Sequence, residues 1–240
     1  ARNTITFDHA APLSLTANFI SCGKPSMFRF FRADELHDLQ LRDQPDVSDD
    51  TLLYLDHLTG LKMINLCGTE VSDKGLAHIA ALPDLLEVNV IRCPITGTGL
   101  AKMKCIPTLE ILKANGVQNI TPVLTRLSGS HNLRIIAVKN CNVTDRGLAL
   151  LSRCPELIAL EVGPDKQITN AGIAKLLACK YMRELSIVGC NVTPAVVDIL
   201  KQCQNLKRLK IDMSTWPDKD KERLLFELPS AIVNPPDKQG

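Results

Sequence analysis

Apolar residues along this chain fall into a regular beat. Leucine or methionine recurs at Leu36, Leu61, Leu85, Leu109, Leu133, Leu157, Met182 and Leu206, at intervals of 24 or 25 residues. Each opener is followed three and five positions later by further apolar residues: Leu39/Leu41, Ile64/Leu66, Val88/Val90, Leu112/Ala114, Ile136/Val138, Leu160/Val162, Leu185/Ile187 and Leu209/Ile211. The last two of each triplet alternate with polar or variable residues, as a strand with one buried face requires. Seven segments carry the whole pattern and an eighth carries part of it. A period in the twenties predicts a solenoid, in which each unit buries its apolar face only against its neighbours.

Parallel strands need a crossover, and the second half of each unit supplies it. It begins with an apolar residue followed at once by serine or threonine: Val47-Ser48, Val71-Ser72, Ile95-Thr96, Ile120-Thr121, Val143-Thr144, Ile168-Thr169 and Val192-Thr193. Serine and threonine accept a bond from an otherwise orphan amide, so these residues are predicted helix N-caps. Pro122 and Pro194 suit the start of a helix, and Asp49, Asp73 and Asp145 suit its positive end. A short amphipathic helix follows, as in Gly147-Leu148-x-x-Leu151.

The beat absorbs most residues that would otherwise suggest chemistry. Among nine cysteines there is no C-x-x-C. Cys93, Cys141 and Cys190 each lie eight residues after an opener, and Cys154, Cys179 and Cys203 each lie three before one. Such matched positions read as buried structural thiols. Their odd number, on a chain of this length, fits a reducing, cytoplasmic setting better than a disulfide scaffold. His9, His37, His57, His78 and His131 are scattered, with no H-x-x-x-H pair. Gly97-Thr98-Gly99 resembles a phosphate loop, but Gly99 aligns with Gly75, Gly147 and Gly172 of other units. The N-x-T sequons at Asn119, Asn142 and Asn191 coincide with predicted N-cap threonines. No P-loop, G-x-S-x-G elbow or H-E-x-x-H is present. No catalytic residue, cofactor or metal is therefore expected.

Net charge is +2, from 28 basic and 26 acidic residues, which gives no electrostatic case for a nucleic-acid partner. No apolar run approaches the ~18 residues of a membrane span, and the N-terminus lacks a basic-then-apolar signal pattern. Residue 1 is not Met, which leaves open a removed signal or anchor, or excision from a longer chain. The oligomeric state is unspecified.

The unit Leu133-Arg-Ile-Ile136-Ala-Val138-x-x-Cys141-x-Val143-Thr144-Asp145-x-Gly147-Leu148 resembles the leucine-rich repeat, and the resemblance extends over roughly residues 34–216. It implies an α/β solenoid of the ribonuclease-inhibitor-like kind, a right-handed horseshoe with a parallel sheet on its concave face and short helices on its convex face. Two subtypes are similar: the cysteine-containing repeat found beside F-box domains, and the tandem V-T-D-x-G-L array of bacterial proteins, whose period of about 24 is the nearer match. The resemblance also implies that the turn cysteine replaces a ladder asparagine that binds backbone groups between coils. Gln44, Thr69, Val117 and Asp165 hold that slot in other units.

A solenoid must cover its two ends. Residues 1–33 read as a β-rich N-cap with strand-like pieces at Thr4–Phe7, Leu13–Leu15 and Met27–Phe31. Residues 34–216 hold about eight repeats, 217–233 a capping helix and strand, and 234–240 a disordered tail. Phe7, Phe19, Phe28, Phe30 and Phe31 near one end, and Trp216 and Phe226 near the other, are expected to plug the openings.

The strand positions between the buried ones face the concave surface. There Ile91, Ile111, Ile135, Ala137 and Ala159 form a central apolar strip, rimmed by Asn89, Lys113, Lys139 and Glu161, with Arg208 and Lys210 at a basic end beside Lys207. An apolar patch with a polar rim is the usual form of a protein-binding site. Long turns at 42–46, 115–119 and 163–167 border the same face. The reading that follows is a non-enzymatic interaction module for a protein or peptide, the recognition domain of a larger bacterial protein. Two alternatives stay open: a substrate receptor of a ubiquitin ligase, and an enzyme inhibitor or an enzyme with a concave-face Cys/His site.

Overall fold

The computed structural model describes residues 13–16, 24–228 and 231–234. Thr4–Phe7, Phe7, His9, Phe19, Cys22 and residues 235–240 lie outside them. Ten parallel strands form one open sheet in chain order: β1 Leu13–Thr16, β2 Leu36–Gln40, β3 Met63–Asn65, β4 Glu87–Asn89, β5 Ile111–Lys113, β6 Ile135–Ala137, β7 Ala159–Glu161, β8 Glu184–Ser186, β9 Arg208–Lys210 and β10 Ile232–Asn234. Each inner strand pairs with the next in strict register, so that Ile111, Ile135, Ala159, Glu184 and Arg208 stand in one row. The helices are α1 Asp49–Leu52, α2 Asp73–Ile79, α3 Gly97–Leu100, α4 Thr121–Leu127, α5 Asp145–Leu151, α6 Asn170–Lys175, α7 Val197–Leu200 and α8 Asp218–Glu227. Successive strands contact one another, and so do successive helices, with the core between the two layers. The fold is an α/β repeat solenoid.

The core is made of the residues that carry the beat. All eight openers and their apolar partners at plus three and plus five are buried. Strands β3 to β9 are only three residues long, each centred on a buried apolar residue, with Ala137 of β6 and Ser186 of β8 buried as well. Positions six after an opener therefore lie in the turn beyond the strand. Gly163 is one of them, buried with φ +93°, a left-handed conformation that suits glycine.

A second repeating device joins the helix ends. The Asp49 carboxylate accepts the Ser72 N–H and hydroxyl at 2.7 Å each. Asp73 does the same for Thr96 at 2.8 and 2.6 Å, and Asp145 for Thr169 at 2.8 and 2.7 Å. Asn170 continues the ladder to Thr193. Each acid thus ties the N-cap of the following repeat as well as favouring its own helix end. A glycine three residues after the N-cap makes room for the acid of the preceding repeat. A Cβ on Gly99 would lie 2.1 Å from Asp73 Cγ, and one on Gly172 would lie 2.1 Å from Asp145 Oδ1. Gly75 makes the same room for Asp49, where a Cβ would lie 2.5 Å from Oδ1, whereas Gly147 packs against Val143 and Leu124.

The ladder breaks at the long turn 115–119. Gly97 stands where an acid would be, and its N–H donates to the Gln118 carbonyl at 2.7 Å. A Cβ there would fall 2.0 Å from the Asn119 carbonyl oxygen, so the backbone of the next coil occupies the space of a side chain. Thr121, predicted as an N-cap, is instead the first residue of α4, with Ile120 in the cap position.

The turn cysteines bind between coils. Cys93 Sγ donates to the Leu66 carbonyl at 2.9 Å, and Cys141 Sγ to the Ala114 carbonyl at 3.1 Å. The eight described cysteines are free thiols. Burial pushes Cys141 and Cys190 up to about 11, and Cys105 and Cys179 up to about 12.

Three expectations at the ends need correction. Met27–Phe31 is not strand-like: Pro25–Phe30 is a 3-10 helix, started by the fixed φ of Pro25. Phe28 and Trp216 are buried, but Phe30 is 88% exposed and Phe226 84% exposed, so those two plug nothing. Asn234, assigned to the tail, pairs with Lys210 in β10.

Candidate interaction face

Residues two and four after an opener flank the buried central residue of each inner strand, which places them on the open side of the sheet. Over the N-terminal strands they are polar apart from Met63, and several satisfy one another. Ser14 donates to Asp38 at 2.9 Å, Gln40 to Asp38 at 2.8 Å, and Asn65 to Gln40 at 2.8 Å. From β5 to β9 they change character. There the surface forms an open concavity of about 320 Å³ whose floor includes Ile135, Ala137, Ile158, Ala159 and Leu160.

Of the eleven residues singled out from the sequence, eight line this concavity: Ile91, Lys113, Ile135, Ala137, Ala159, Glu161, Arg208 and Lys210. Asn89, Ile111 and Lys139 stand outside it. Ile111 lies on β5 in the same row as Ile135, one strand further from the centre of the hollow. Asn89 turns its side-chain carbonyl to the Ile91 N–H at 3.2 Å and so supports the turn. Lys139 pairs with Glu161 at 3.3 Å. The sequence pattern placed Asn115, Glu184 and Ser186 on the concave side without assigning them to the strip, and all three line the hollow. Ile158, one residue after an opener, was missed. Its position alone gave no sign that its side chain reaches the rim.

The charges on the strands are matched in pairs between neighbouring coils. Lys113 Nζ meets Glu87 at 2.9 Å, and Arg208 meets Glu184 at 2.7 Å. These are half-exposed pairs of small individual worth. Their effect is to hold long side chains along the strands and leave the isoleucine and alanine floor uncovered.

The alternatives that involve chemistry can be placed on the same map. Cys67 is half-exposed on the concave side, with the Arg92 guanidinium 3.7 Å from its sulphur. Among the described residues no histidine hydrogen-bonds a thiol, and His57 binds the Phe31 carbonyl at 3.1 Å. Among the described residues no three His, Cys, Asp or Glu side chains converge to hold a metal ion, and no helix is long and apolar enough to cross a membrane.

Comparison with known proteins agrees with this architecture. A family model described as a leucine-rich repeat matches residues 129–152, the unit around Leu133. No curated protein matches the sequence. Among solved structures, internalin C2 from Listeria monocytogenes superposes with a TM-score of 0.60 at 24% identity, over 77% of this chain and 74% of that one. Another internalin from the same organism gives 0.54 at 18% identity, over 85% and 70%. A leucine-rich-repeat protein from Leptospira interrogans gives 0.55 at 17% identity, and there the match spans 84% of this chain but only 55% of the other. These identities speak to the fold alone. The repeated unit, the ten-stranded parallel sheet and the solenoids that superpose on it give this chain the fold of a leucine-rich-repeat solenoid, with the family model matched at residues 129–152.

Proposed function

We propose that this chain is a non-enzymatic protein-interaction module whose contact surface is the concave sheet over β5 to β9. Leucine-rich-repeat solenoids are a protein-interaction fold, and that coarse reading comes with the architecture. The finer assignment rests on one observation. An apolar stretch of the sheet coincides with a hollow of about 320 Å³, walled by Lys113, Glu161, Glu184 and Lys210. Apolar floors with polar rims bind protein side chains by excluding water at the centre and matching charge at the edge. The internalins and the Leptospira protein share the solenoid, and the likeness supports recognition within a longer bacterial protein as the setting.

Affinity capture tests the assignment. Wild type and an Ile135→Asp/Ala159→Asp variant are each immobilised and exposed to the same extract, after circular dichroism has shown that both fold. Partners retained by wild type and lost by the variant are expected. Identical recovery on both would overturn the concave-face assignment.

A further inference from the structure

The cations of this surface divide into two sets. Those on the strands and turns are neutralised across coils: Lys62 by Asp84, Arg92 by Asp43, Lys113 by Glu87, Lys139 by Glu161 and Arg208 by Glu184. One residue after the opener, where Lys62 also stands, three further cations are not. Arg134, Arg183 and Lys207 are exposed, and no carboxylate pairs with any of them among the described residues. Glu110, which precedes Arg134 in the same row, and Glu156 form no ion pair with any of the three.

The three stand in one line at the N-terminal edge of the sheet. The Ile158 N–H donates to the Arg134 carbonyl, the Arg183 N–H to the Ile158 carbonyl, and the Lys207 N–H to the Arg183 carbonyl. Arg134 and Arg183 are thus two coils apart, roughly 10 Å, and Lys207 is about 5 Å further on. Ile158, between Arg134 and Arg183, belongs to the lining of the hollow. The row therefore borders the apolar floor directly.

On the concave-face reading above, we infer that the occupant is an acidic protein segment with an aliphatic anchor. The anchor seats on Ile135, Ile158 and Ala159, and carboxylates flanking it reach Arg134, Arg183 and Lys207. Charge complementarity selects this occupant. The fold pairs Lys113, Lys139 and Arg208 with carboxylates of neighbouring coils and leaves a row of three cations without such partners beside the hollow. Unlike a nucleic-acid backbone, such a segment would also fill the apolar floor. Pairing at an exposed edge contributes modestly to affinity and strongly to partner choice, and it weakens with salt.

A random dodecapeptide library displayed on phage tests this. Selection is run on wild type, on a rim variant (Arg134→Glu/Arg183→Glu/Lys207→Glu) and on a floor variant (Ile135→Asp/Ala159→Asp), all checked for folding. Wild type is expected to enrich peptides with Asp or Glu flanking Leu, Ile or Met. The best of them, labelled with fluorescein, is expected to bind the rim variant about tenfold more weakly, a loss of the size expected for a few exposed ion pairs. Enriched peptides without acidic bias, lost only on the floor variant, would overturn the acidic occupant and leave the concave-face reading intact. Enrichment of the same peptides on wild type and floor variant would overturn both. No enrichment on wild type would overturn a linear segment as occupant. Competitive displacement of the peptide by single-stranded dT20, lost in the rim variant, would reassign the row to phosphate binding.

Discussion

The Asp145 carboxylate accepts two hydrogen bonds from Thr169, one from its backbone N–H at 2.8 Å and one from its hydroxyl at 2.7 Å. Thr169 in turn caps α6 by accepting the Ala171 N–H. The cap of one repeat is therefore held by the acid of the repeat before it, and Gly172 leaves the space that the acid fills.

That arrangement predicts coupling. Asp145→Ala should cost about 1–2 kcal/mol, since it removes two bonds and loosens a cap. Gly172→Ala should also destabilise, despite alanine's helix preference, because its methyl would meet Asp145. In the Asp145→Ala background the Gly172→Ala cost should shrink by at least about 0.5 kcal/mol. Urea midpoints of the four proteins measure this, and strictly additive shifts would refute the shared space.

Asp165 predicts a pH effect of opposite sign to the usual acid. It sits in the turn-cysteine slot, 4% exposed, with Oδ2 accepting the Gly163 N–H at 3.1 Å and Oδ1 unpartnered. Burial raises its pKa above the ordinary 3.8, against the lowering influence of the Gly163, Asn142 and Val143 N–H groups. A carboxyl raised on folding binds more protons in the folded state, so its contribution is fully favourable below pH 4 and declines as pH rises through the folded value. Asp165→Asn should raise the melting temperature at pH 7 and leave it nearly unchanged at pH 3.5. A drop at pH 7 would show that the carboxylate's backbone bonds outweigh its desolvation.

Thiol reactivity should follow burial. At pH 8 the thiols of Cys105 and Cys179, pushed up to about 12, should react with Ellman's reagent only on the timescale of unfolding. Half-exposed Cys67 should react early, and Cys67→Ser should remove one fast equivalent. An unchanged fast phase in that variant would place the reactive thiol elsewhere.

The C-terminal end separates two aromatic residues that look alike in sequence. Trp216 is 6% exposed and Phe226 is 84% exposed. Trp216→Ala should cost about 3–5 kcal/mol. Phe226→Ser should stay within about 0.5 kcal/mol, as surface changes do. Chemical denaturation of the two variants decides it, and comparable losses would mean that Phe226 is covered in solution.

Much of the architecture could be read from residue spacing. The buried openers Leu36 to Leu206, the strands that follow them and the Ser or Thr before most helices are set by positions within one repeat, where the apolar period acts directly. The concave face was legible to the same depth: alternation alone put Ile135, Ala159, Glu161 and Lys210 on one side. What it could not show was which of these surround a hollow, because Ile111 and Ile135 occupy equivalent positions and yet only Ile135 of the two lines it.

The sequence by itself determined the repeat, its strands and its buried columns, because each unit must present the same apolar residues to its neighbours in order to stack. Tertiary structure alone decided how units meet. It brought Asp145 to Thr169 and Lys113 to Glu87 from about one repeat away, and let the 115–119 turn displace the cap at Thr121. It also left Arg134, Arg183 and Lys207 without an ion-pair partner among the described residues. Those outcomes depend on distances of about 3 Å between coils, which exist only after stacking has set the register.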